Sequence, residues 1–232
     1  MMQYAAIFDM DGTLIDSVDQ HARAWQEAFA QFHLHFGFKK IRDQIGKGGD
    51  QLLPVFLSDK RLRAEGKQIE AARSAIFRIR YTHTLKSFPK VRELFLKFRA
   101  AGWKVAVASS AKADELKFYE RRCRIDRLVD AETSSDDVAR SKPHPDVFQA
   151  IRRKLHGIVP DHCIVIGDSP YDAMAARKAG MHSVGFLCGG FGRNKLKAAG
   201  AEHLYREPAD LLRKFERFAW ISHSGVISGK RT

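Results

Sequence analysis

Two aspartates one residue apart, Asp9 and Asp11, close the apolar run Tyr4-Ala5-Ala6-Ile7-Phe8 and are followed by Gly12, Thr13 and Leu14. A short apolar run bounded by turn formers suits an interior strand of a parallel sheet, and ligands of open α/β sheets bind beyond the carboxyl ends of such strands. Alternate strand residues point the same way, so the i, i+2 spacing aims both carboxylates into one volume across Met10, while Gly12 lets the backbone turn away. Two like charges that close ask for a cation, and a set of carboxylate and carbonyl oxygens suits Mg²⁺. Taken alone, the pattern more often marks a solvated turn after a strand, so the remaining strand ends have to decide.

Three further junctions carry polar groups. Lys104-Val105-Ala106-Val107-Ala108 runs into Ser109-Ser110, Lys142 stands before Pro143 and a helix, and His162-Cys163-Ile164-Val165-Ile166 ends in Gly167-Asp168-Ser169-Pro170-Tyr171-Asp172. Serines end many strands, a lysine before proline is usually solvated, and Gly-Asp-Ser is an ordinary helix cap. Their joint order, each at a strand-to-loop junction, makes a multi-part motif that coincidence does not readily produce.

The elements that must position these groups are legible from periodicity. Ala22, Trp25, Ala28, Phe29 and Phe32 mark a helix over 19–32, and 62–85 repeats a helical pattern through Ile69, Ala72, Ile76 and Ile79. No strand signal falls between Leu14 and Lys86, so about 70 residues of helix are inserted after the first strand. From Val91 onward strands alternate with helices: strands at 104–108, 128–129, 162–166, 182–186 and 202–204, helices at 91–101, 113–123, 146–155, 173–179 and 209–218. Repeated strand, loop and helix units predict an α/β fold, a doubly wound parallel sheet with helices on both faces. The expected division is a core of 1–15 with 87–220, an inserted helical unit over 16–86, and a Ser- and Gly-rich flexible tail over 221–232.

A chain of 232 residues is long enough for one α/β core plus an insertion. With 44% hydrophobic and 29% charged residues it matches a soluble globular protein, and it holds no apolar run of membrane-spanning length, so no membrane partner and a cytoplasmic location are expected. Cys123, Cys163 and Cys188 are too far apart for a pair-spaced metal motif, and read as reduced, packed thiols. The net charge of +13 raises nucleic acid as a partner. The basic residues, among them Lys39, Lys40, Arg73, Arg78, Arg121 and Arg213, are scattered along helices without a dense block, which reads as a solvated face rather than a nucleic-acid footprint.

Phe8-Asp9-Met10-Asp11-Gly12-Thr13-Leu14, Val107-Ala108-Ser109, Ser141-Lys142-Pro143 and Gly167-Asp168-Ser169-Pro170-Tyr171-Asp172 resemble, in order, the four motifs of the haloacid dehalogenase superfamily, in particular its phosphoglycolate phosphatase and β-phosphoglucomutase branch. The resemblance spans nearly the whole chain and implies a Rossmann-like core with a helical cap inserted after the first motif. It implies that Asp9 attacks phosphorus to form an aspartyl-phosphate, and that Asp11 protonates the leaving oxygen and then activates water. Ser109, Ser110 and Lys142 would hold the phosphoryl oxygens, and Asp9, Asp11 through its carbonyl, Asp168 and Asp172 would form the Mg²⁺ site, with Asp172 supporting the metal or orienting Lys142.

The second acid, Asp11, argues for phosphoryl transfer over carbon–halogen cleavage, which dehalogenases perform without it. The resemblance therefore implies an Mg²⁺-dependent phosphomonoesterase for a small phosphorylated metabolite, with a sugar-phosphate phosphomutase as the alternative; a phosphonoacetaldehyde-type hydrolase and a basic nucleic-acid-binding protein rank lower. The glycine-rich loop Gly46-Lys47-Gly48-Gly49 lies in the inserted segment, where Lys47 and Gly48 are candidates to contact the rest of the substrate. The equal alternative is a plain loop with a solvated lysine. Oligomeric state is not legible.

Overall fold

The computed structural model describes residues 3–218. In chain order its elements are β1 (Ala5–Phe8), β2 (Ile15–Asp16), α1 (Val18–Gln31), α2 (Phe38–Arg42), α3 (Gly49–Leu52), α4 (Asp59–Arg80), β3 (Lys86–Ser87), α5 (Val91–Ala100), β4 (Lys104–Ala108), α6 (Ala113–Cys123), β5 (Ala131–Thr133), α7 (Asp146–Lys154), β6 (Cys163–Gly167), α8 (Pro170–Lys178), β7 (His182–Phe186), α9 (Arg193–Ala199), β8 (His203–Tyr205) and α10 (Pro208–Arg213). Six of the strands form one parallel sheet in the order β5-β4-β1-β6-β7-β8. The chain moves outward on one side of β1 and then returns to build the other side, which makes the carboxyl end of β1 the switch point where α/β sheets bind ligands.

The four residues of β1 are all buried, as an interior strand covered on both faces requires. Their side chains alternate between two cores: Ala6 and Phe8 join Phe95, Phe98, Trp103 and Phe186 on one face, and Ala5 and Ile7 join Phe148, Ile151 and Val165 on the other. Phe8 pairs in register with Val107 and with Ile166, so β1, β4 and β6 end at one level. That register brings Asp9, Ser109 and Asp168 to the same sheet edge.

Between β1 and β4 the chain is mostly helical, and α1, α2 and α4 pack around a cluster of their own that includes Trp25, Phe29, Ile41 and Ile69. The expectation of no strand there needs correction. Ile15–Asp16 pairs antiparallel with Lys86–Ser87, tying the two crossings between the sheet and the helical segment together. The four-residue α3 gives way at Leu53–Val55 to a 3₁₀ turn that holds Pro54, because proline cannot continue a hydrogen-bonded ladder.

Two strands lie later than the residue pattern suggested, at Ala131–Thr133 rather than 128–129 and at His203–Tyr205 rather than 202–204. Asp130 closes the approach to the first: its N–H donates to the Val105 carbonyl and its carboxylate accepts from the Val105 N–H, so β5 begins only after it. Helix α8 starts at Pro170, three residues ahead of expectation, because Ser169 caps it and accepts from the Asp172 N–H. The helical pattern of 209–218 is interrupted at Lys214, and the expected tail at 221–232 lies outside the described residues. Among the described residues no helix is long and apolar enough to cross a membrane.

Phe98 packs edge-on against Phe8, Trp103, Phe215 and Phe218 in the larger core. Phe98→Ala is expected to lower the free energy of unfolding by about 3–5 kcal/mol in urea titrations, as the cavity it leaves cannot collapse among rings.

Candidate active site

Asp9 follows β1 directly, and its N–H donates to the Ile166 carbonyl, so the β1–β6 pairing continues into the site. The chain then turns through Gly12, whose φ of +77° suits glycine, and a Cβ there would fall 2.5 Å from Asp168 Oδ2. The Thr13 hydroxyl lies 3.2 Å from Asp9 Oδ2 and 3.1 Å from Asp168 Oδ1, bridging the first and last motifs. Lys142 is fully buried, and its ammonium contacts Asp9 Oδ1 and lies 2.8 Å from Asp172 Oδ1. Asp172 is fixed in turn by the Ser169 N–H at 3.1 Å and hydroxyl at 2.6 Å, a capping box at the start of α8. Asp172 thus sits against Lys142 as well as within the acidic group.

Asp11 faces away from that cluster toward the helical segment. Its Oδ1 accepts from the Ser17 hydroxyl at 2.6 Å and lies 2.9 Å from His21 Nε2 on α1. The His21 ring stacks flat on Phe77 with centroids 3.9 Å apart, and the Tyr119 hydroxyl of α6 approaches the same nitrogen at 3.4 Å. Burial would push the Asp11 carboxyl up, but attraction to His21 and the hydrogen bonds from His21 and Ser17 outweigh it and hold the group below the ordinary aspartate value. Sequence reasoning missed His21. The available signal was a polar residue beside Ala22 and one turn before Trp25, on the face of α1 that had to be buried.

Asp9, Asp11, His21, Trp25, Arg73, Ser110, Glu115 and the loop from Ile45 to Gly49 line one cavity between the sheet edge and the helical segment. Ser109 is buried, and its hydroxyl accepts from the Ala111 N–H at 3.0 Å, whereas the Ser110 hydroxyl lines the cavity with no partner among the described residues. The loop is docked on the core: the Gly48 N–H donates to the Ser141 hydroxyl at 2.9 Å, next to Lys142, and Arg42 donates to the Gly189 carbonyl. Lys47 lines the cavity, but its ammonium donates to Gln44 Oε1 at 2.6 Å and sits 4.8 Å over the Tyr171 ring. Burial lowers its pKa. Arg73 departs from the expected solvated basic face: it is 8% exposed, because α4 turns it inward onto Trp25.

A family model for haloacid dehalogenase-like hydrolases matches residues 5–180, which spans the acidic cluster, Lys142 and the cavity lining. The chain belongs to that family. A haloacid dehalogenase-like hydrolase of this kind is 28% identical over 190 residues to a phosphoglycolate phosphatase of Colwellia psychrerythraea, covering 79% of this chain and 84% of that one. The fructose-1-phosphate phosphatase YqaB of Escherichia coli is 23% identical over 178 residues, covering 77% and 93%. A solved hydrolase from Pseudomonas syringae superposes with a TM-score of 0.84 at 30% identity, covering 93% of this chain and 99% of that one.

The electrostatics of this hydrolase's acidic cluster indicate which groups can hold the divalent cation that the family resemblance implies. Asp9, Asp168 and Asp172 each present a carboxylate oxygen within 4.8 Å of the others, all buried. Burial pushes the Asp9 carboxyl up, Lys142 pulls it down, and Asp172 and Asp11 push it up again, leaving it at about 7. Asp168 is raised well above the ordinary value by burial and by Asp9 and Asp172, against the Thr13 hydrogen bond and Lys142. Burial would lower the Lys142 ammonium, but Asp172 and Asp9 hold it above the ordinary lysine value. One lysine therefore faces an excess of negative charge supplied entirely by hard oxygen donors, which fits Mg²⁺. Asp168→Asn is expected to raise the thermal midpoint of metal-free protein by relieving repulsion, and to abolish the rise that Mg²⁺ produces in the wild type; differential scanning fluorimetry with and without Mg²⁺ measures both.

Proposed function

We propose that the protein hydrolyses small phosphate monoesters through an aspartyl-phosphate on Asp9, using a site held by Asp9, Asp168 and Asp172 for Mg²⁺. The chain is a haloacid dehalogenase-like phosphatase, supported by its family and by the phosphatase activities its relatives are named for. The observation that carries the mechanism is the separation of the two first-motif acids: Asp9 is paired with Lys142 in the acidic cluster, and Asp11 is paired with His21 and Ser17 beside the cavity. That separation supports a reading in which one carboxylate acts as nucleophile and the other in proton transfer.

In this reading an Asp9 oxygen attacks phosphorus, and the P–O bond to the alcohol breaks as the Asp11–His21 pair delivers a proton to the leaving oxygen. Asp11 then takes a proton from water, which attacks the aspartyl-phosphate, frees inorganic phosphate and restores Asp9. Lys142 and the Ser110 hydroxyl, with Ser109 shaping the loop between them, bind the phosphoryl oxygens and offset the charge that Asp9 would otherwise present to an anion. A bound Mg²⁺ supplies further charge neutralisation for the phosphoryl group. Residues 16–86 serve as a cap whose loop around Gly48 closes over the core through Ser141, limiting solvent access during the reaction.

Asp9→Asn is expected to remove turnover of every phosphate ester while the circular dichroism spectrum stays that of the wild type; retained turnover would assign the nucleophile elsewhere. Asp11→Asn is expected to slow an alkyl phosphate by about 10²-fold or more and an activated aryl phosphate far less, because only the poor leaving group needs the proton. Phosphate release, followed alongside the organic product by NMR, separates hydrolysis from isomerisation: a rearranged sugar phosphate without free phosphate would replace the phosphatase with a mutase.

A further inference from the structure

The cavity extends past the groups that handle phosphate to a part lined by Trp25, Arg73 and Glu115, none of which enters the phosphoryl chemistry. Arg73 comes from α4, and Glu115 from the first turn of α6, where a carboxylate suits the helix terminus. The guanidinium carbon of Arg73 lies 5.3 Å from the centroid of the Trp25 ring, and its Nη1 is 3.7 Å from Glu115 Oε1. The pair is close enough to balance charge but too far apart for that hydrogen bond. Arg73 Nε and Glu115 Oε2 are both buried and have no hydrogen-bond partner among the described residues. A buried donor and a buried acceptor are thus left unsatisfied on two residues that line the cavity.

The chemistry of the missing ligand follows from that pair. A substrate carboxylate would satisfy Arg73 but meet the charge of Glu115, and an ammonium would meet that of Arg73. An alcohol both accepts and donates, and neighbouring hydroxyls satisfy both groups without net charge. Lys47, the cation that would otherwise favour a second acid, is turned to Gln44 and the Tyr171 ring on α8. Resting on the phosphatase reading above, we propose that Arg73 and Glu115 form a hydroxyl-reading subsite and that the substrate is the phosphate monoester of a neutral polyhydroxylated molecule, a sugar or polyol phosphate, rather than a phospho-acid.

The test is phosphate release by the full chain with Mg²⁺ from three groups of compounds: hexose and polyol phosphates, two- and three-carbon phospho-acids, and an aryl phosphate. Wild type is expected to show kcat/KM at least about tenfold higher for its best sugar or polyol phosphate than for any phospho-acid. Glu115→Gln is expected to lower that ratio by about tenfold, since the amide no longer repels a carboxylate and leaves Arg73 free to bind one. Arg73→Gln is expected to move the ratio the other way, because Glu115 then stands unopposed. A pair that only braces the helices would depress both substrate classes alike and move the ratio in neither direction. Preference for phospho-acids, or a ratio that both variants leave unmoved, with the aryl phosphate still hydrolysed, overturns the subsite and leaves the phosphatase reading standing. Absence of phosphate release from all three groups overturns both.

Discussion

Three carboxylates are buried at one sheet edge with a single lysine among them, and the local architecture serves that arrangement. In a low-dielectric interior like charges at such separations are costly, and protons or a cation must compensate. The protein holds the acids in place by structure that cannot relax: Asp9 continues the β1 ladder, Asp172 is locked in a helix cap, and Thr13 hydrogen-bonds Asp9 and Asp168 together. Even the absence of side chains contributes. A Cβ at Gly189 would lie 1.7 Å from Asp168 Oδ2, and one at Gly12 would crowd the same oxygen, so backbone closes around this carboxylate from two sides.

The same constraint explains the division of labour between the first two acids. Though only two residues apart, they sit in opposite electrostatic surroundings, Asp9 raised by burial and its neighbours, Asp11 held low by His21 and Ser17. The neighbours that make the difference come from the helical segment and its junction with the sheet. Tyr119 reinforces the pattern: burial and the charges of Asp11 and Glu115 push its hydroxyl well above the ordinary tyrosine value, so it stays protonated beside His21. The helical segment therefore helps set the chemistry of the sheet edge as well as covering it.

The +13 net charge finds its place in the same terms. Many of the basic side chains are exposed on or beside α2, α4 and α5, several of them paired with acids one turn away, such as Lys39 with Asp43 and Lys90 with Glu93. Exposed pairs of this kind contribute little to stability. Arg73 shows why position outweighs a residue count: it belongs to the same helix as Arg61 and Arg78, yet it is buried among aromatic and acidic groups inside the cavity.

What the sequence by itself determined was the broad local order: the buried first strand, the alternation of strands and helices, and the polar groups at the strand ends, though not the exact start of α8 or of β5 and β8. Those features are readable because strand and helix periods and cap residues act over a few positions, and because a parallel sheet necessarily gathers the ends of its strands. The resemblance its motifs carry also grouped Asp9, Lys142, Asp168 and Asp172 before any distance was known, with Asp11 among them, whereas the structure turns the Asp11 carboxylate to Ser17 and His21. Tertiary structure alone decided the contacts made across the chain: His21 on Asp11, Ser110 rather than Ser109 at the cavity wall, Lys47 turned onto Tyr171, the β2–β3 ladder, and Arg73 facing Glu115 from another helix. Each depends on how a helical segment docks onto the sheet. Docking is set by the summed packing of distant apolar faces, which no short stretch of residues encodes.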